Sequence, residues 1–69
     1  MFLVTKRAGL WRLSYLGIAR EMVDPSNRER LVRIACALAR RCGSTVYVYN
    51  DVGGLEWMRT YPTRQMRTF

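Results

Sequence analysis

The side chains that could carry out chemistry are few in this 69-residue chain, and their types exclude most catalytic functions. Histidine is absent, which excludes serine–histidine and cysteine–histidine nucleophilic catalysis. The five carboxylates are scattered, so no pair is placed for general acid–base work. Asp51 belongs to an Asn-Asp-Val-Gly-Gly stretch and is expected to be a turn residue. The sequence predicts a protein that is not an enzyme.

The two cysteines, Cys36 and Cys42, do not indicate a disulfide or a metal centre. Six residues of helix would separate them by roughly 9 Å along the axis, which is farther apart than a disulfide allows. Two cysteines without histidine do not make a metal site. Gly53 and Gly54 lie between strands, where a hairpin needs them, rather than before a helix in a phosphate-binding loop. We expect two free thiols, buried as small apolar side chains, and no cofactor, metal or small-molecule substrate.

The charge of the chain is strongly positive. Twelve Lys and Arg oppose five Asp and Glu, for a net charge of +7, and Lys6 is the single lysine. Arginine makes forked contacts with carboxylates and phosphates, so the positive field favours acidic proteins or nucleic acid as partners. An arginine-rich genome is the alternative explanation. The apolar run at residues 1–4 is too short for a membrane span or a signal peptide, so we expect a cytoplasmic protein.

Hydrophobic patterning predicts an α+β fold, in which one helix packs on one face of an antiparallel four- to five-stranded sheet. Residues 10–16 alternate apolar and polar side chains, as a half-buried strand does. One ββ(β)αββ domain is expected over residues 1–62, followed by a frayed basic tail at 63–69. The predicted elements are strands at 2–5, 10–16 and, as a short third strand, 19–23, a helix at 24–42, and strands at 44–50 and 55–61.

The helix has two competing start signals in the sequence. Asp24 could cap it with Pro25 in the first turn, or Ser26 could cap it in a capping box with Glu29. Gly43 suits the left-handed position that ends a helix. Helical spacing predicts a buried stripe made of Leu31, Ile34, Ala35, Leu38 and Cys42.

The order of these pieces resembles a widespread family of small bacterial and phage domains of unknown function. The matching stretches are GLWRLSYLG, MVDPSNRERLVRIACALARRCG, STVYVYND and GGLEWMRTYP, over residues 3–62. Cys42 stands where family members usually have a polar or charged residue. Some phage anti-CRISPR proteins are similar in size and layout. The resemblance implies a ββ(β)αββ fold, no catalytic residues and a binding role.

Strand alternation divides the sheet into a helix-facing side and an open side. The side chains expected to face the helix are Trp11, Leu13, Val46, Val48, Leu55 and Trp57. The open face is then made of Arg12, Ser14, Tyr47, Tyr49, Met58 and Thr60. Tyr, Met and Arg are enriched in interface cores, and aromatic sheets also stack nucleic-acid bases. Strand propensity alone could also place tyrosines there.

A second candidate surface is the outer side of the helix, where a simple solvated face is the alternative. Its basic residues are Arg28, Arg30, Arg33, Arg40 and Arg41.

Three functions fit these surfaces. The favoured one is a small phage or mobile-element modulator or inhibitor that binds a host protein through the open face. The first alternative is a nucleic-acid-binding protein driven by phosphate contacts. The second is a structural homodimer in which two sheet faces pair.

Overall fold

A computed structural model describes residues 1–15, 21–24 and 27–62 of the chain. It confirms the α+β fold, because one helix packs against a five-stranded sheet whose strand order is β3-β2-β1-β4-β5. The expectations for residues 16–20, 25–26 and 63–69, including the frayed tail, lie outside the described residues. The elements are β1 (Phe2–Arg7), β2 (Leu10–Tyr15), β3 (Glu21–Asp24), α1 (Arg28–Cys42), β4 (Thr45–Tyr49) and β5 (Leu55–Thr60).

The sheet is mixed rather than wholly antiparallel. Three neighbouring pairs are antiparallel, but β1 and β4 run parallel at the centre of the sheet. The single helix explains this difference from the prediction. It carries the chain from the end of β3 back to the end at which β1 begins, and a helical crossover of this kind joins parallel strands. The third short strand forms and pairs with β2.

The turn between β1 and β2 is tight and needs left-handed backbone. Ala8 has φ +52° and Gly9 has φ +79°. Two positive φ values are typical of a type I′ hairpin turn, whose twist matches that of the flanking strands. Gly9 tolerates this conformation, whereas Ala8 adopts it against the steric preference of its Cβ atom.

The N-cap of the helix is neither of the two predicted residues. It lies three residues after Asp24 and one residue after Ser26. Asn27 is the N-cap, and its side-chain oxygen accepts a hydrogen bond from Arg30 N at 3.0 Å. Asp24 is the last residue of β3, paired with Trp11, and its Oδ1 accepts a hydrogen bond from Asn27 N at 3.0 Å. Asp24 therefore orders the turn before the cap. Gly43 ends the helix with φ +69°, as expected.

The buried stripe of α1 differs from the predicted one. Leu31, Ala35 and Ala39 are buried, at a spacing of four residues. Leu38 is 41% exposed on a flank of the helix, where it borders an apolar groove. The small side chains of Ala35 and Ala39 let the helix lie close to the sheet. The buried stripe is therefore centred on these two residues. Three predicted stripe members therefore fall outside the core: Leu38 and Cys42 are exposed and Ile34 is half-buried.

The helix covers the middle of the sheet but not its β5 edge. Val46, Val48 and Leu13 are buried beneath it as predicted, and Trp11 is half-buried against the core. Trp57 lies opposite Val48, on the helix side, yet it is 38% exposed. The expected burial of Trp57 is therefore wrong, because α1 packs mainly over β1, β2 and β4.

Leu55 was also expected under the helix and is 51% exposed. The register shifts between Val48 and Tyr49, so that Leu55 pairs with Tyr49. An extra residue in one strand of a pair changes the face to which the following side chain points. The core is closed by aromatic residues instead, because Phe2 and Tyr61 are both buried and Phe2 packs on Tyr15 with ring centroids 4.6 Å apart. Among the described residues no helix is long and apolar enough to cross a membrane.

Candidate functional site: the open sheet face

The face of the sheet opposite the helix carries a row of side chains that crosses all five strands. Glu21 pairs with Ser14, Ser14 with Leu3, Leu3 with Tyr47, and Tyr47 with Met58. Residues that lie directly opposite each other project to the same face. Three of the predicted site residues, Ser14, Tyr47 and Met58, are therefore in one line. We call the side of the sheet that bears this row the open face.

The remaining predicted residues flank this row. Tyr49 pairs with Leu55. Thr60 pairs with Thr45, and their hydroxyl oxygens are 3.1 Å apart in a hydrogen bond. Tyr47 and Tyr49 are half-buried by their neighbours, whereas Met58 is 49% exposed. The register thus brings all six predicted site residues together on the open face.

Arg12 lies at one end of the open face in a small charged cluster. Its Nη1 is 3.1 Å from Glu21 Oε1, and Arg7 Nη2 is 3.1 Å from Glu21 Oε2. One carboxylate is shared by two guanidinium groups, so the cluster keeps a single positive charge. Arg12 Nε is buried and has no hydrogen-bond partner in the part of the chain that the structure describes. The Arg12 side chain is 21% exposed, so its packing against neighbouring strands holds the guanidinium in place.

A shallow cavity of about 380 Å³ opens on this face beside Tyr49. Leu3 and Thr5 form its floor from the central strand, and Gly53 of the β4–β5 turn borders it. A cavity of this volume can accept a side chain from a partner beside Tyr49. Apolar area flanked by hydroxyl and guanidinium groups is the chemistry of a protein-docking surface.

Sequence reasoning missed the contribution of β1 to the open face. Leu3 and Thr5 lie between the β2 and β4 members of the site, yet residues 2–5 read as an unbroken apolar and β-branched run. Without alternation, the sequence does not indicate which of these side chains face the helix. The burial of Phe2 and Val4 supplies the answer, since it leaves Leu3 and Thr5 on the other face.

Arg28 was predicted to lie on the exposed basic surface of the helix, and the structure places it elsewhere. Its side chain is 24% exposed, and its guanidinium carbon lies 5.5 Å from the centre of the Trp11 ring. Its Nη1 donates to Glu56 Oε1 at 2.6 Å and to the Tyr49 carbonyl at 3.4 Å. Arg28 is the first residue of the helix and faces the sheet, so it ties α1 to the β4–β5 hairpin.

The other four helix arginines are exposed, but they are not equivalent. Arg30 Nη1 is 3.3 Å from Asp24 Oδ2. Arg33, Arg40 and Arg41 form no ion pair with any carboxylate of residues 1–15, 21–24 and 27–62. The uncompensated positive charge of the helix is therefore concentrated on these three residues, on the side of the domain away from the open face.

Tyr61 and the cysteines belong to neither surface. The Tyr61 hydroxyl lies near the Cys36 thiol and interacts with it. That interaction, followed by burial and by the charge of the Cys36 thiolate, raises the pKa of Tyr61, against an opposing effect of Arg59 and Arg40. Both cysteines are free, as predicted. Cys42 is exposed rather than buried, because it is the last helical residue, and its Sγ donates to the Leu38 carbonyl at 3.2 Å.

Comparisons of the chain with protein-family models, with curated proteins and with solved structures found no match. The resemblance to small bacterial and phage domains therefore stays a prediction.

Proposed function

We propose that the chain is a small non-enzymatic interaction protein that binds the surface of another protein through its open face. The observation that carries this proposal is the continuous row formed by Ser14, Leu3, Tyr47 and Met58 across neighbouring strands. Tyrosine and methionine are among the residues enriched at the centres of protein interfaces. Because both tyrosines are already half-buried by their neighbours, ordering them on binding costs little side-chain entropy.

The charges on the open face favour a partner with a polar or mildly acidic surface. Arg7, Arg12 and Glu21 together carry one net positive charge at the edge of the face. A rim charge of this kind steers association and selects partners, while the buried rings supply most of the affinity. The net charge of +7 on the whole chain also attracts acidic surfaces from a distance.

A binder without catalytic groups acts by occupying a surface that another molecule needs. This suits a modulator or inhibitor encoded by a phage or another mobile element and acting on a host protein in the cytoplasm. The similarity in size and layout to some phage anti-CRISPR proteins supports that role by analogy, although a fold does not fix a function.

A nucleic-acid-binding function is the alternative, and one observation favours it. Arg33, Arg40 and Arg41 carry charge that no described carboxylate compensates. Phosphate contacts need such residues. The two functions therefore use different surfaces, the open face for a protein and the outer side of α1 for nucleic acid, and mutations can separate them.

The experiment is capture from a bacterial host lysate on immobilised protein, with and without nuclease. Two double variants are compared, Tyr47→Ala with Tyr49→Ala on the open face and Arg33→Glu with Arg40→Glu on the helix. The proposal expects one protein to be retained after nuclease treatment by the wild type and the arginine variant, and lost with the tyrosine variant. Capture that nuclease abolishes, or that the arginine variant loses and the tyrosine variant keeps, would support nucleic-acid binding instead.

A homodimer formed by two open faces predicts a different result. The tyrosine variant would then change from dimer to monomer in analytical ultracentrifugation but would still capture the same host protein. That outcome would assign the open face to oligomerisation and move the docking surface elsewhere.

A further inference from the structure

The outer edge of β5 pairs with no other strand of residues 1–15, 21–24 and 27–62 and carries large apolar side chains. β5 ends the sheet, and all six of its residues are exposed. Large apolar side chains occupy both of its faces, with Trp57 38% exposed on the helix side and Met58 49% exposed on the open face. An exposed edge strand of this length and composition is a template for pairing with another strand.

The backbone groups that would pair can be identified. Tyr61 N donates to the Ser44 carbonyl at 2.9 Å, so Tyr61 points its amide toward β4. In an antiparallel pair this orientation alternates along the strand, so Arg59 and Trp57 also direct their amide and carbonyl groups toward β4. The amide and carbonyl groups of Met58 and Thr60 therefore point outward from the sheet.

The regular part of β5 has few of the features with which proteins usually block a sheet edge. Residues 57–60 contain neither proline nor lysine, and the register irregularity lies at the Leu55 end. The opposite edge, β3, is only four residues long, and its Glu21 is already engaged by Arg7 and Arg12. Charged side chains, proline, bulges and short length are the devices that keep edges monomeric. Arg59 is the one charged side chain of residues 57–60, and it lies on the helix side over the Tyr61 ring, so β5 is the more open of the two edges among the described strands.

We propose that two copies of this chain pair through β5, antiparallel, around a two-fold axis that passes through Met58. A two-fold axis perpendicular to the sheet places the helix sides of both copies on one face of the joined sheet. Side chains on the helix side of one copy therefore lie opposite side chains on the helix side of the other. In this register Met58 meets the second copy's Met58 in a hydrogen-bonded pair. Trp57 meets the second copy's Arg59, and this contact occurs twice.

The pairing of Trp57 with Arg59 makes the edge complementary to itself. A guanidinium group over a tryptophan ring is a favourable cation–π contact, and Arg59 already lies 5.2 Å from the centre of the Tyr61 ring within its own chain. The helix packs mainly on β1, β2 and β4, and Trp57 is 38% exposed, so side chains of a second copy can reach this side of β5. A register centred on Trp57 would instead place Met58 opposite Glu56, whose carboxylate is bound to Arg28 at 2.6 Å.

The pairing would join two five-stranded sheets into one and make the two open faces continuous. Because Met58 is the partner of Tyr47, the row across each open face would run unbroken into the other. This differs from a homodimer made by stacking the open faces, since edge pairing leaves both faces free. The two copies, each with a charge of +7, repel each other at long range, so added salt should strengthen the dimer.

The test is disulfide cross-linking of Met58→Cys, made in a Cys42→Ala background. In a hydrogen-bonded antiparallel pair the two Cα atoms at the axis are about 5.5 Å apart, within the range of a disulfide. Thr60→Cys is the matched control, on the same strand and the same face. In the proposed register the Cα atoms of position 60 in the two copies would be four residues apart along the strands, or about 13 Å, so this variant should not cross-link. The background protein, which keeps Cys36, sets the baseline.

Sedimentation measures the dimer without a cross-link. We expect the wild type to dimerise at micromolar concentration, and more strongly at 0.5 M than at 0.1 M salt. Met58→Pro removes only an outward amide, which an edge strand tolerates, so it should be monomeric with an unchanged circular dichroism spectrum. Monomeric wild type at 100 μM, or equal cross-linking through positions 58 and 60, would overturn the proposal. If Met58→Pro fails to fold, the cross-linking pair decides alone.

Discussion

Tyr47 and Met58 lie directly opposite each other on neighbouring strands, on the face of the sheet that the helix leaves open. Leu3 flanks Tyr47 on the other side, from the parallel strand β1. An aromatic ring held between two apolar side chains has a fixed position and an exposed edge, as the anchor residues of protein interfaces do. The central claim of the proposed function depends on this arrangement.

The first prediction concerns the fold of the tyrosine variant. Tyr47→Ala with Tyr49→Ala removes two half-buried side chains from the open face and none from the core beneath the helix. We expect the variant to keep its circular dichroism spectrum and a cooperative thermal transition, at a melting temperature somewhat lower than that of the wild type. Tyr47→Phe with Tyr49→Phe, which keeps the rings, should be close to the wild type in stability. Loss of cooperative unfolding in the alanine variant would show that the tyrosines are structural.

The second prediction uses two leucines of the same helix. Leu31 is 2% exposed and Leu38 is 41% exposed. Leu31→Ala should cost about 2–5 kcal/mol of unfolding free energy because it leaves a cavity, whereas Leu38→Ala should cost less than about 1 kcal/mol. Urea denaturation measures both. Equal losses would mean that the buried stripe is the one predicted from helical spacing, with Leu38 in the core.

Helical spacing alone could not separate these two leucines. Leu31 and Leu38 are seven residues apart and so lie near the same side of an isolated helix. The helix rests on Ala35 and Ala39, and which flank of that line is covered depends on the strands beneath. The sequence supplied the helix and its C-terminal cap at Gly43, but it did not supply the rotation of the helix against the sheet.

In the sheet, too, local sequence patterns predicted which side chains share a face, but they did not predict the order of the strands. Alternation along each strand correctly indicates that Leu13, Val46 and Val48 share a face. The strand order, with β1 in the centre and β5 at an edge, depends on pairing between distant segments. Trp57 was misplaced for that reason, since its orientation toward the helix side is right and its burial is not.

The third prediction concerns the turn between β1 and β2. Ala8 adopts φ +52°, a conformation that glycine reaches without a steric penalty. Ala8→Gly should therefore stabilise the protein by about 0.5–1 kcal/mol. Ala37→Gly, on the exposed side of the helix, is the matched control and should destabilise by about 1 kcal/mol. Destabilisation by Ala8→Gly in urea denaturation would contradict the left-handed turn.

The fourth prediction concerns alkaline pH. The pKa of Tyr61 is raised, first by its interaction with Cys36 and then by burial. A raised pKa means that the folded protein favours the neutral phenol, so this stabilisation is complete below the unfolded value near 10. It is lost as the pH rises through the folded value. Between pH 8 and 11 the wild type should lose more unfolding free energy than Tyr61→Phe. Parallel losses in the two proteins would show that Tyr61 does not contribute to the pH dependence.

The measurement that tests the proposed function most directly is the salt dependence of binding to the captured host molecule, whether that molecule is a protein or a nucleic acid. Dissociation constants are measured between 0.1 and 0.5 M salt for the wild type, for Tyr47→Ala with Tyr49→Ala, and for Arg33→Glu with Arg40→Glu. If the open face docks on a protein, affinity should change by less than about tenfold over this range, because buried rings rather than exposed charges hold the complex. The tyrosine variant should bind too weakly to measure, and the arginine variant should bind as the wild type does. A fall of about a hundredfold with salt, shared by the tyrosine variant and abolished by the arginine changes, is what about three phosphate contacts produce and would contradict the account.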